Sequence, residues 1–239
     1  MSWLPGRVIE FRLVCSRQPI RPFMAAQRPM IQLMKLAAGA TLLGVAMLTL
    51  AEELPRRSAS AGPDVRNLII KDVQGASHQP LAAAGQKATV MFFVMSECPI
   101  ANSYAPEINR IVAAYATRGV RSYVVYVEDD LSVAAARQHA QDHEFKFPAL
   151  LDPGHQLVKF ARVTVSPEVA ILAPDNTVLY RGRIDDRAAA FGKSRVVPSK
   201  RDLRSALDAI LDGKPVVTPV TKAVGFYITT NENSKPHDK

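Results

Sequence analysis

Apolar and polar residues fall along this chain in blocks whose spacing changes from strand-like to helical and back. "KATVMFFVM" (87–95) and "VRSYVVYVE" (120–128) are β-rich apolar runs, the pattern of strands buried on both faces. Between them, Ile100, Tyr104, Ile108, Ile111, Val112 and Tyr115 recur at helical spacing. This predicts a helix from Pro99 that stops at Gly119. "NLIIKDV" (67–73) is a short strand, Leu131–Glu144 an alanine-rich helix, and "FPALLD" (147–152) an extended piece before a short helix over 154–161. "EVAILAPDNTVLYRGRI" (168–184) reads as two strands around Pro174-Asp175-Asn176, a β-hairpin. Leu203, Ala206, Leu207, Ile210 and Leu211 mark a last amphipathic helix over 200–212, with Gly213 past its end. Strands that alternate with helices and then close with a hairpin and a helix predict an α/β sandwich with a mixed sheet.

The first 66 residues read differently. They carry nine Lys/Arg against four acids, so the net charge of +8 belongs mainly to them. A basic patch on the folded part is therefore not implied, and nucleic acid is not expected as a partner. Lys35 precedes "LAAGATLLGVAMLTLA" (36–51), an uncharged run slightly short for a spanning helix and typical of a signal core. Residues 1–51 are thus a basic extension with a signal peptide or an N-terminal membrane anchor, residues 52–66 a linker, and 67–215 the folded domain. Residues 216–239 are an extension expected to be partly disordered, its polar end after Thr229 most of all. The expected location is exported, either periplasmic or anchored and facing the periplasm. Of the two cysteines, Cys15 lies before the apolar run, so an exported domain keeps Cys98 alone and forms no internal disulfide.

Cys98 stands where "KATVMFFVM" ends and the helix begins. First-turn N–H groups of a helix are unpaired and carry partial positive charge, so a thiolate placed there is stabilised. Pro99 suits the first helical position because it has no N–H to leave unpaired. Glu97 acts the other way if its carboxylate faces the sulfur. The competing reading is a buried, inert cysteine.

"FFVMSECPIANSYAPE" followed by "VSPEVAIL" resembles the thioredoxin-like superfamily, in its redoxin branch of alkyl hydroperoxide reductase and thiol-specific antioxidant proteins. The resemblance covers roughly residues 65–215. It implies a thioredoxin-like sandwich with a central mixed β-sheet flanked by helices, and Cys98 as the nucleophile. Pro106 resembles the proline that kinks this helix. Val165-Ser166-Pro167 resembles the cis-proline segment facing the cysteine, where a substrate chain could pair; a trans-proline at a strand start is the alternative.

The departures from that family are specific. Ala101 replaces the second cysteine of Cys-x-x-Cys, so no dithiol cycle can run within the motif. Met95 stands where peroxide-reducing relatives have a hydroxyl residue and Met91 where they have a proline, although Ser96 is close. Related exported redoxins carry a Gly-Cys pair near the C-terminus; here Phe226 follows Gly225. Arg183 and Arg187 after the hairpin are candidates to stabilise a departing oxygen, with a solvated strand end as the alternative, and Asp185 and Asp186 read as surface acids. His139 and His143, at i, i+4, have metal-binding spacing, but no cysteine or carboxylate pattern completes a site and a solvated helix face is the plainer reading.

Together with the export signal, the resemblance implies an exported thiol oxidoreductase that uses Cys98 to reduce peroxides or exchange with disulfides. Pro167 and Ser96 are assigned to catalysis beside it, and Pro99, Ser166 and Arg183 to the substrate groove. The partners are an external thiol reductant or a client protein disulfide, with peroxide as a small substrate; no cofactor and no metal are implied. The alternative is a binding module of the same fold with little turnover.

Overall fold

The computed structural model of the protein describes residues 67–82 and 84–230. The expected signal or anchor segment (1–51), the expected linker (52–66) and residues 231–239 lie outside the described residues. β1 (Ile70–Lys71) and β2 (Ser77–His78) form a small antiparallel hairpin ahead of the main sheet. β3 (Ala88–Val94), α1 (Pro99–Ala116), β4 (Val120–Tyr126), α2 (Val133–Asp142), β5 (Ala149–Leu151) and α3 (Gln156–Ala161) follow. Next come β6 (Val165–Ser166), β7 (Glu168–Leu172), β8 (Val178–Gly182), β9 (Ala188–Ala190), β10 (Lys193–Ser194), α4 (Asp202–Leu211) and β11 (Phe226–Tyr227).

The main sheet has the order β5-β4-β3-β7-β8. β3, β4 and β5 are parallel, while β7 and β8 run antiparallel to their neighbours. Every residue of β3 is buried, as its apolar run requires. Val90, Phe92 and Val94 join the core under α1, α2 and α4, and Met91 and Phe93 join the core under α3. Alternate residues of a strand point to opposite faces, so the same run supplies both layers. The result is the expected mixed-sheet sandwich.

Two consequences of this topology place the site. β3 and β7 are antiparallel neighbours, so the end of β3 and the start of β7 share one edge of the sheet. That edge carries Cys98 and the Ser166–Pro167 bond, which is cis. The helix after Cys98 runs through Pro106 without a break. Gly119 ends the following turn at a φ of +85°, a conformation that favours glycine.

Within the described part of the C-terminal extension, residues 216–230, the chain pairs with two strands of the domain. Arg181 N–H donates to Pro219 O at 2.9 Å and Thr221 N–H to Arg181 O at 3.0 Å, which lays residues 219–221 along β8. β11 then pairs antiparallel with β6. Backbone groups along β8 and β6 are satisfied in this way.

Candidate functional site

Cys98 is the N-cap of α1 and is 2% exposed. Its Sγ accepts from the Ala101 N–H at 3.4 Å, and its S–H donates to the Ser166 carbonyl at 3.3 Å. The thiol therefore lies between a helix N-terminus and the backbone that precedes the cis bond. It is a free cysteine. Ser166 is fixed in turn, because its hydroxyl accepts from the Met95 N–H at 2.7 Å. Pro167 is buried behind it.

Ser96 and Glu128 form the wall on the other side. The Ser96 hydroxyl donates to Glu128 Oε1 at 2.7 Å, and the Ser96 N–H donates to the same oxygen. The second Glu128 oxygen, Oε2, is buried and has no hydrogen-bond partner among the described residues. Cys98, Ser96, Glu97, Glu128 and Asp130 line one cavity of about 630 Å³, which Phe226 and Tyr227 close from the C-terminal side. Glu128 went unnoticed in the sequence, where it is the polar end of a buried strand; its position at a strand's C-terminal edge was the available signal.

A polar chain runs from this wall into the core. Asn102 Nδ2 donates to Ser96 O at 2.8 Å, and Asn102 Oδ1 accepts from His139 Nε2 at 2.9 Å. The Tyr126 hydroxyl lies 2.8 Å from His139 Nδ1. Burial and the neighbouring His143 push the His139 ring down to about 4, so it is neutral near neutrality, with Nε2 carrying the proton. Neither a metal pair nor a solvated face describes His139, and among the described residues no cluster could hold a metal ion.

A second, more apolar cavity of about 470 Å³ abuts the same helix start. Pro99, Tyr104, Arg187, Phe191 and Phe226 line it. The Arg187 guanidinium lies over the Tyr104 ring, 4.2 Å from its centre, and its Nη2 is buried without a partner among the described residues. The Tyr104 hydroxyl donates to Asp185 at 2.6 Å, and burial together with that bond pushes it up to about 12.

Cys98, Ser96, Pro99, Ser166 and Pro167 are thus brought to one edge of the sheet, and Arg183 is not among them. Its guanidinium pairs with Asp202 at 2.8 and 3.2 Å, at the start of α4. The carboxylate is close enough to hold the arginine away from the thiol. Asp185 and Asp186 are not surface acids; each is 5% exposed. Asp186 accepts from the N–H groups of Ser199 and Lys200, and hydrogen bonds led by the Ser199 hydroxyl hold its carboxyl down to about 2.

A family model described as Redoxin matches residues 57–194. No curated protein matches. Among solved structures, the chain is similar to an uncharacterized conserved protein from Geobacillus kaustophilus, with 23% identity and a TM-score of 0.60 over 72% of this chain and 92% of that one. It is similar to a hypothetical protein from Sinorhizobium meliloti 1021, with 20% identity and a TM-score of 0.59 over 69% of this chain and 91% of the other. A secreted disulfide oxidoreductase of Mycobacterium tuberculosis gives 16% identity and a TM-score of 0.44, over 64% of this chain and 99% of its own. The first two of these share the fold of this chain, an α/β sandwich around a mixed central sheet.

Proposed function

Since the chain belongs to the redoxin family, matched over residues 57–194, we propose that it is a single-cysteine thiol oxidoreductase whose Cys98 exchanges with disulfides. The observation that carries this reading is the seat of the sulfur, a helix N-cap with Ala101 N–H and Ser166 O on either side. On losing its proton, Sγ gives up the bond to Ser166 O and keeps the Ala101 donor. The thiolate attacks one sulfur of a disulfide; a new S–S bond forms to Cys98 while the old one breaks. The departing sulfur leaves as a thiolate and takes up a proton. Because Ala101 stands where a resolving thiol would be, an external thiol attacks the mixed disulfide. Cys98 is then released reduced, and the external thiol carries the disulfide away.

Peroxide reduction is the second reading, favoured by Arg187, which lines the adjoining cavity and whose buried Nη2 has no hydrogen-bond partner among the described residues. There the Cys98 sulfur bonds to one peroxide oxygen as the O–O bond breaks, and the other oxygen leaves as an alcohol or water after protonation. The sulfenic acid condenses with an external thiol, releasing water, and a second thiol regenerates Cys98. The exported, periplasm-facing location belongs to the same proposal and rests on the apolar run 36–51. Among the described residues no helix is long and apolar enough to cross a membrane.

The test is incubation of the reduced protein with a mixed-disulfide probe, followed by peptide mapping. An adduct at Cys98 that external thiol removes is expected, and Cys98→Ser abolishes it. Serine is itself a favoured N-cap, so the variant keeps its helix start and its fold by circular dichroism. Absence of any adduct on the folded protein would leave the binding-module reading in its place.

A further inference from the structure

The sheet edge beside Cys98 is already taken. β11 pairs with β6 so that Phe226 lies opposite Ser166 and Tyr227 opposite Val165. The Ile228 N–H continues the pairing, donating to Thr164 O at 2.9 Å. Ser166 is also the residue whose carbonyl meets the Cys98 thiol. The chain's own strand therefore runs along the backbone that a substrate polypeptide would need.

Three features hold it there. A Cβ on Gly225 would lie 2.0 Å from Ser166 O and 2.5 Å from Ser166 C, both backbone atoms. Gly225 is not among the glycines with positive φ, so it answers to this close approach rather than to a turn. Ile228 is 3% exposed and packs into the core under α3. The stretch just before Gly225 is bound to β8 through Pro219 and Thr221. Phe226 and Tyr227, by contrast, are 47% and 79% exposed, and both border the Cys98 cavity.

We propose that β11 is a built-in occupant of the strand slot beside Cys98, which bars extended polypeptides and reserves the thiol for small disulfides and thiols. The proposal rests on the reading of Cys98 as an exchanging thiol. Polypeptides bound at a sheet edge draw their affinity from main-chain hydrogen bonds, and β11 already makes them. A polypeptide must displace β11 first, which divides its apparent affinity by the fraction of open molecules. A small disulfide needs no strand edge, and the 630 Å³ cavity lies within the span of roughly 300–1,000 Å³ usual for small-molecule sites.

The experiment uses the full chain and two probes with the same leaving group: hydroxyethyl 2-pyridyl disulfide, and an extended peptide whose central cysteine carries the 2-pyridyl disulfide. Release of pyridinethione gives the rate, and peptide mapping assigns the adduct to Cys98. In Gly225→Ala the peptide rate is expected to rise at least about tenfold and the small-probe rate by less than about threefold, as an open slot requires. Ile228→Ser, which removes the buried anchor without touching Ser166, carries the same expectation should Gly225→Ala not fold. A proportional rise for both probes, or an unchanged peptide rate once amide exchange shows β11 released, overturns the proposal. Reaction with neither probe in any folded variant, when the denatured protein reacts with both, overturns the exchange reading itself and is thereby told apart.

Discussion

His139 Nε2 lies 2.9 Å from Asn102 Oδ1, so a ring on α2 fixes a side chain on the helix that Cys98 opens. The amide has its other end on Ser96 O, at 2.8 Å. It therefore ties the turn before Cys98 to the interior of the domain. Asn102→Ala strands a half-buried histidine N–H and frees the Ser96 carbonyl. A loss of about 1–3 kcal/mol is expected in urea unfolding, together with faster alkylation of Cys98, because the turn that covers the sulfur loosens.

The same ring sets a pH dependence. In the unfolded chain a histidine titrates near its ordinary 6.5; folded, burial and His143 bring His139 down to about 4. Between those values the unfolded state binds a proton that the folded state does not. Stability from this group is therefore complete above pH 6.5 and falls as pH drops towards 4. Unfolding midpoints measured across that window are expected to decline, and His139→Gln should flatten the decline even if it lowers the midpoint at neutral pH.

Glu128 supplies a charge beside the thiol that serves no ion pair among those of the described residues. Glutamine at this position keeps an acceptor for Ser96 while removing the charge. With Glu128→Gln, a dianionic aromatic disulfide is expected to react faster at Cys98 and a dicationic one slower, the ratio moving by roughly threefold to tenfold at low salt. Raising the salt should shrink the difference between the native chain and the variant.

Arg183 gives the opposite expectation. Its partner is Asp202, and side-chain exposures of 28% and 14% make the pair partly buried. Arg183→Met should lower stability by about 1 kcal/mol, while the rate of disulfide exchange at Cys98 stays within about twofold of the native value. Parallel unfolding and exchange measurements on one preparation check both halves.

Much of the site was readable from local pattern. The β3 run, the stop at Ser96-Glu97 and the Cys98-Pro99 junction are strand and cap signals that act over a few residues, and they placed Cys98 at the start of α1. Residues whose role depends on distant partners were not readable. Asp185 and Asp186 look like solvated acids until N–H groups at Ser199 and Lys200 are brought to Asp186 and the Tyr104 hydroxyl to Asp185. His139 is half-buried because α2 shows the core only the small side chains Ala136 and Ala140, which leaves room for the ring against Tyr126. β11 is short and exposed at both residues, and the marks it leaves in the sequence are one apolar residue, Ile228, and Gly225 before it. The reason for Gly225 is the carbonyl of Ser166, which is far off in sequence.

The burial of Cys98 makes the protein a recorder of its own opening. Its thiol is the single cysteine of the described residues, 2% exposed, and sealed by Ser166 from across the chain. An alkylating reagent too bulky for the cavity can reach it only when the β3 and β6 ends part. The rate at which such a reagent marks Cys98, set against the rate for a free thiol, is then the equilibrium constant for that separation. One mass shift thus measures how often the edge of the sheet comes undone.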